Sequence, residues 1–376
     1  MPSALEYTQS MVAFDSVSSK SNVEVTNQIE DWLKQLGCEV ERVDYIDANG
    51  VSKSNILGKI GSGEGGLAYF GHSDVVPATT WVFDEHGPFE PTIKDGKLFG
   101  RGTTDMKGSV ACFLAAMESV KDKQLTAPVY FCCTADEEVG MRGAEQVVKN
   151  SSMYREMVAG QARAIIGEPT MLDVVHGHKG GCSIVVTSKG RAAHSSTKEG
   201  TNANWKMIPF LAEMKALNDE LESDPKWQNE EFTPPTMTMN IGINDHTGAI
   251  NITPPQSICT IYYRRMPGID AEPIFERIQN AAESNGLEFD VRFRANPFYI
   301  DPNAEYVQEC LELAENKTPR TVSYGTDGAW YYELERAVVM GPGNIAQAHT
   351  HDEYLDLKEF DRGTDIYTRM IHRWCL

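Results

Sequence analysis

The rhythm of apolar and polar positions changes twice along the chain. Residues 22–37 carry apolar side chains at helical spacing and stop at Gly37, which predicts a helix closed by a glycine cap. Short apolar runs follow at 55–60, 67–71, 128–134 and 164–167, and read as strands. Helical stretches separate the later runs, notably 106–120. This alternation predicts an α/β unit with a largely parallel sheet. After Lys179 the texture differs. An alternating strand at 182–189 precedes a long helix at 202–221, strands at 236–243 and 257–264, a helix at 271–284 and a strand at 288–293. That order is the one a ferredoxin-like module uses. Beyond Asn296 the α/β texture resumes, with a strand at 338–341 and a last helix near 358–373. The expected organisation is an α/β domain in two parts, 1–179 and 296–376, with an α+β domain, 180–295, inserted between them.

Length and composition narrow the classes. A chain of 376 residues suits two or three domains, and 41% hydrophobic content is ordinary for a globular protein. The net charge of -20 repels phosphate backbones and anionic lipid, which argues against nucleic-acid or membrane-surface binding. No run of about 18 apolar residues suggests a membrane span. Residues 1–10 lack a basic segment followed by an apolar one, so a cytoplasmic protein is expected. The eight cysteines form no CxxC pair and read as reduced thiols rather than zinc ligands.

Candidate chemistry gathers just after the expected strands. His72 and Asp74 follow the run 67–71, Glu137 and Glu138 follow 128–134, Glu168 follows 164–167, and His349 follows 338–341. Asp105 ends the glycine-rich segment Gly100-Arg101-Gly102-Thr103-Thr104-Asp105. Open α/β sheets bind ligands beyond the carboxyl ends of their strands, so the fold would bring these distant segments to one edge. Each residue alone has a bland reading: a solvated acidic loop, a lone histidine, a glycine turn. Their joint placement is what points to a site. Two histidines with several carboxylates and no thiolate suit catalytic zinc, and the surplus of ligands suggests two ions. A carboxylate such as Asp105 could bridge such a pair. Asp74, two residues after His72, would share its face on a strand and accept the second ring N–H. Of the adjacent Glu137 and Glu138, one can bind metal while the other moves the proton of the attacking water.

At these residues the chain resembles a known family. The segments Gly71-His72-Ser73-Asp74-Val75-Val76-Pro77, Gly100 to Gly108, Thr134-Ala135-Asp136-Glu137-Glu138, Gly167-Glu168-Pro169-Thr170, Ala193-His194-Ser195-Ser196 and Ala348 to Tyr354 carry the likeness. They are similar to the co-catalytic zinc metallopeptidases that include acetylornithine deacetylase, succinyl-diaminopimelate desuccinylase, aminoacylase and glutamate carboxypeptidase. The resemblance implies a zinc-peptidase-like catalytic domain with an inserted ferredoxin-like lid through which the chain forms a homodimer. It implies two Zn2+, with Co2+ or Mn2+ able to substitute. Asp105 would bridge them, His72 and Glu168 would complete one site, and Glu138 and His349 the other. His349 rather than His351 is favoured by its spacing to Asp352-Glu353-Tyr354. Glu137 would be general base and then general acid, Asp74 would orient His72, and His194 would polarise the scissile carbonyl in the partner's site. Lys179, Asn251, Arg264, Gly325 and Thr326 fall where the family contacts substrate, with Arg264 favoured over Arg265 for a carboxylate. A cis peptide is implied between Asp105 and Met106.

The run 165–170 and His178-Lys179-Gly180 bring the chain nearest to acetylornithine deacetylase. Gly325, Asp327 and Trp330 depart from the commonest deacetylase loop. Asp327 and the acidic surface would favour a cationic side chain. The expected reaction is hydrolysis of an N-acyl amino acid, with N-acetylornithine the first choice. The desuccinylase, a general aminoacylase and a glutamate carboxypeptidase are the alternatives. An aminopeptidase would need a pocket for a free α-amine, and a metal-binding homologue without activity could easily lack Glu137.

Overall fold

The computed structural model describes residues 2–376, which fold into two compact units. Among the described residues the first comprises 2–177, 300–320 and 326–376, and the second 178–299 and 321–325. The short excursion 321–325 into the second unit lies outside the boundaries read from the sequence, because five residues carry no periodicity of their own.

The first unit is built on a mixed sheet. Its strands run in the order Glu39–Ile46, Ser52–Ile60, Val129–Thr134, Leu67–His72, Arg163–Pro169, Ala337–Gly341 and Val175–His178. The middle four are parallel. The hairpin of the first two and the strand Val175–His178 add antiparallel edges. The sheet is therefore parallel at its centre and not largely parallel throughout: an apolar run reports burial and says nothing about direction. Leu67–His72 and Val129–Thr134 are buried along their whole length, which is why they read as unbroken apolar runs. The helix Gly108–Glu118 is buried almost entirely and packs against the last helix, Leu357–Cys375. That last helix buries Phe360, Gly363, Ile366, Tyr367, Met370, Ile371 and Trp374, the stripe expected of an amphipathic helix. Gly363 permits the close approach, since a β-carbon there would lie 3.2 Å from the Cys112 sulfur.

The second unit is a four-stranded antiparallel sheet ordered Met239–Asn244, Gln256–Tyr263, Gly181–Lys189 and Glu288–Ala295. Numbered along the unit this is 2-3-1-4, the ferredoxin-like arrangement. Gly181–Lys189 alternates in burial, so Cys182, Ile184 and Val186 face a core shared with the helices Ala203–Ser223 and Glu272–Ser284. Met207, Phe210, Met214 and Leu217 of the first helix, with Ile274 and Ile278 of the second, fill that core. The strand Met239–Asn244 begins three residues later than its apolar pattern suggested and lies at the sheet edge, with Ile241 and Ile243 exposed. Trp205 and Ile208 are exposed on Ala203–Ser223.

Among the described residues no helix is long and apolar enough to cross a membrane. All eight cysteines are free thiols, and seven are buried.

Candidate metal centre

Three parallel strands deliver the first candidate residues. His72 ends Leu67–His72 and pairs in register with Thr134, the last residue of its neighbour. The chain then turns through Ala135 and Asp136 to Glu137 and Glu138. Glu168 lies near the end of Arg163–Pro169, beside Gly341 of Ala337–Gly341. The carboxyl ends of these strands thus share one edge, where open α/β sheets place their ligands.

Asp105 arrives differently. The sequence pattern extends a helix back to 106, but the regular helix starts at Gly108. Residues Thr103–Lys107 form one wide turn in which Asp105 (φ -122, ψ 93) and Met106 (φ -134, ψ 28) leave helical geometry, and the peptide bond between them is cis. Gly102, at φ 88, occupies the left-handed region that admits a glycine without steric cost. The Asp105 carboxylate faces both histidines: Oδ1 lies 3.2 Å from His72 Nε2, and Oδ2 lies 3.3 Å from His349 Nε2. His349 Nε2 is also 2.9 Å from Glu138 Oε2, and His72 Nε2 is 3.7 Å from Glu168 Oε1. The donor atoms of His72, Asp105 and Glu138, and likewise those of His72, Glu137 and Glu168, lie within 4.8 Å of one another. His349 is 53% exposed where its partners are buried, so it closes the cluster from the solvent side.

The electrostatics fit a cation-binding centre. Burial, then the neighbouring Glu168, holds the Glu137 carboxyl well above the usual range. Burial and Asp105 push Glu138 up to about 7 and hold Glu168 well above its ordinary value. Burial works against the charged form of His72, but the Asp105 hydrogen bond and the Glu168 and Asp74 carboxylates leave it well above the usual imidazole range. Hydrogen bonds to Asp105 and Glu138 raise His349 to about 10. These retained protons neutralise crowded carboxylates, and a divalent ion would displace them. Two imidazoles among carboxylates, without thiolate, match zinc, cobalt or manganese.

Asp74 does something other than the pattern suggested. The strand ends at His72, so Asp74 does not share a strand face with it. The Asp74 backbone oxygen lies 2.9 Å from His72 Nδ1, whereas its carboxylate is at 3.6 Å. The carboxylate instead accepts the Glu137 and Glu138 amides at 3.2 and 3.4 Å and the Ser18 hydroxyl at 2.7 Å. Asp74 thus orients the imidazole through its carbonyl and the two glutamates through its side chain.

Two supporting residues, Lys53 and Tyr45, carried no signal of their own in the sequence. Lys53 donates to Asp136 Oδ1 at 2.6 Å, and Tyr45 donates to Asp136 Oδ2 at 2.7 Å, beneath the turn that presents Glu137. Asp327 is 2% exposed and accepts the Thr134 hydroxyl at 2.7 Å, so it is buried beside the cluster and not displayed to solvent. Burial pushes its carboxyl up to about 7. The neighbouring Thr326 is buried, and its hydroxyl accepts the Gly328 amide.

The remaining expected residues lie in the second unit. His194 is exposed, and its Nδ1 lies 2.7 Å from the Ser196 hydroxyl and 3.2 Å from the Ser196 amide. Asn251 is exposed, and Gly325 belongs to the excursion 321–325. The Arg264 guanidinium stacks on the Tyr262 ring. Lys179 is buried and donates to the carbonyls of Pro234 and Thr236 at 2.7 and 2.8 Å.

Comparison with known proteins agrees with this picture. Residues 68–373 match the model of Peptidase family M20/M25/M40. The chain is 32% identical to an acetylornithine deacetylase of Proteus mirabilis, across 98% of this chain and 94% of that protein. It is 31% identical to one of Aliivibrio fischeri, across 100% and 99%. In fold it is similar to the M20 family metallo-carboxypeptidase Sso-CP2 from Sulfolobus solfataricus (TM-score 0.76, 17% identity, 99% of each chain). It is also similar to the YXEP protein of Bacillus subtilis, described as a dinuclear metal-binding peptidase (TM-score 0.65, 14% identity, 98% and 96% covered). With a family match over most of its length and relatives above 30% identity end to end, the chain belongs to Peptidase family M20/M25/M40.

Proposed function

We propose that this M20 hydrolase cleaves the amide of an N-acyl amino acid, with N-acetylornithine as substrate and ornithine and acetate as products. The observation that carries the reading is the buried Glu137 carboxyl beside a two-histidine carboxylate cluster, in a chain whose full-length relatives are acetylornithine deacetylases.

His72, Asp105 and Glu168 would hold one zinc ion, and Asp105, Glu138 and His349 the second, with cobalt or manganese as substitutes. Bound, the ions would supply Lewis-acid polarisation of the amide carbonyl and acidify the attacking water. The Glu137 carboxylate takes the water proton as the water oxygen adds to the carbonyl carbon. The same carboxyl then delivers that proton to the nitrogen as the C–N bond breaks, a dual role suited to an acid whose pKa is raised. Asp74 holds the Glu137 amide and so fixes where that carboxyl points.

His194 donates through its imidazole to the developing oxyanion in the partner's site of a homodimer. The uncovered edge strand Met239–Asn244 and the exposed Trp205 and Ile208 support dimerisation through the inserted unit. Arg264 holds the α-carboxylate through its two-pronged guanidinium, with Lys179, Asn251, Gly325 and Thr326 completing the substrate contacts. Buried reduced thiols accord with a cytoplasmic location.

The test is kcat/KM of the zinc-loaded protein for N-acetylornithine against N-succinyl-diaminopimelate, N-acetylmethionine and N-acylglutamates. A clear preference for the succinylated compound would make the protein a desuccinylase, and a preference for acetylmethionine a general aminoacylase.

A further inference from the structure

Glu353 is fully buried, and its carboxylate is saturated with donors. Oε2 accepts Arg101 Nη1 at 2.6 Å and the Gly102 amide at 3.0 Å. Oε1 accepts the Thr104 amide at 2.9 Å and the Asp105 amide at 3.1 Å. Three backbone amides of the Asp105 turn therefore converge on one side chain from a segment some 250 residues away in the chain. Further bonds zip the same segments together. The Arg101 guanidinium also donates to the Thr350 carbonyl at 2.9 Å, Thr104 Oγ1 donates to the Tyr354 carbonyl at 2.5 Å, and Tyr354 pairs with Phe99. His349 precedes Thr350 on that segment, with its backbone at φ 63.

We propose that Glu353 is a positioning residue of the metal centre: it shapes the 100–105 turn, aims the Asp105 carboxylate, and locks that aim to the strand-bound segment that carries His349. The inference rests on the reading of Asp105 and His349 as metal ligands. The physical argument is one of donor count. Amides that converge on a point need a concentrated acceptor, and an ionised carboxylate offers two oxygens with lone pairs to spare. Glutamine offers one such oxygen and turns an NH2 group toward donors. In a Glu353→Gln protein at least one amide or the Arg101 guanidinium loses its partner inside a buried site, and the turn relaxes. Asp105 faces both His72 and His349, so its displacement weakens both halves of the centre together.

The experiment measures zinc binding by chelator competition, with no substrate present. Wild-type protein is expected to bind two ions. Glu353→Gln is expected to lose about 10- to 100-fold in affinity at both, the range found when groups that orient metal ligands are removed. Arg101→Lys, which leaves the three amide bonds in place, is expected to lose less. A merely structural role would lower the melting temperature of Glu353→Gln and leave the affinity of the folded fraction unchanged, and that result would overturn the proposal. Wild-type protein that binds no zinc would remove the metal reading and this inference with it. Wild-type binding with unchanged Glu353→Gln binding would remove this inference alone. Because the variant can fail to fold, hydrogen exchange on chelator-treated wild-type protein gives a second reading. Amides in 102–105 should be protected at the level of the adjoining helix, since Glu353 and not the ion holds them. Exchange at free-loop rates would overturn the proposal.

Discussion

Replacing Lys53 by methionine removes the cation from a buried pair and leaves its partner behind. The side chains of Lys53 and Asp136 are 1% and 3% exposed, and their charged atoms are 2.6 Å apart. The ammonium also donates to the Ser18 and Lys20 carbonyls at 2.6 and 2.8 Å. After the substitution Asp136 keeps only Tyr45 of its two side-chain donors, and two carbonyls lose their donor. Breaking a buried pair from one side costs about 3–5 kcal/mol. A domain typically has about 5–15 kcal/mol in hand, so the variant should fold but unfold at clearly lower urea. Burial, helped by the Asp74 carboxylate, holds the Asp136 carboxyl above its ordinary value despite Lys53 and Tyr45, and buried pairs in general repay their desolvation poorly. Neutralising both partners should therefore be milder than removing one. Asparagine suits position 136, whose φ of 57 lies in the left-handed region that Asn tolerates. The double variant Lys53→Met/Asp136→Asn should recover about 0.5–3 kcal/mol of the single loss, the size of coupling seen between contacting residues. The assay is urea unfolding of metal-free protein, followed by circular dichroism and tryptophan emission, for the parent, both single variants and the double. Zinc-loaded Lys53→Met should also show a reduced kcat, because Asp136 anchors the turn into Glu137. A Lys53→Met loss under about 1 kcal/mol, or a double variant no better than the single, would refute the reasoning.

Three further outcomes follow from the site. Glu137→Gln should keep its zinc yet lose about 10²–10⁴-fold in kcat, since an amide cannot accept the water proton; a metal-loaded variant with near-normal kcat would remove that role. Mixing inactive Glu137→Gln with inactive His194→Ala should restore part of the activity once subunits exchange, and none returning after verified exchange would count against a shared site. In metal-free protein Glu138 and Asp327 (about 7) and His349 (about 10) hold protons that the unfolded chain releases near 4.5, 3.8 and 6.5. The folded state then binds more protons, so stability should fall as pH rises from about 6.5 to 7.5. Melting curves in chelator at the two pH values check the sign, and a rise would contradict it.

What was legible in the sequence depended on what each signal encodes. Continuous apolar runs located the central strands, because burial on both faces leaves no polar position. They could not give strand direction, so the antiparallel edges were missed. The hairpin strand Glu39–Ile46, with only Val43 buried, barely departs from a surface loop in composition. The candidate site residues stand out in the sequence because His72, Glu137, Glu138 and Glu168 follow strand ends directly. Asp74 was placed at the right spot with the wrong contact: spacing of two implies a shared face only while the strand continues, and this one stops at His72. Lys53 and Glu353 act on backbone atoms far away in sequence, and no local pattern marks such a partner.

The strand Ala337–Gly341 slots between Arg163–Pro169 and Val175–His178, and the segment behind it brings His349 and Glu353. Ribosomes make proteins from the amino terminus, so timing matters here. A nascent chain that has emerged only through the inserted unit already contains His72, Asp105, Glu138 and Glu168. It still lacks the strand that fills the gap in the sheet, the second imidazole and the carboxylate that shapes the Asp105 turn. These acids gain their remaining partners only in the last tenth of translation. The inserted unit, whose long stretch 178–299 is local in sequence, can finish folding before that moment. If these residues hold metal as proposed, capture waits for the end of synthesis, and a chain cut short before residue 349 lacks part of the proposed centre.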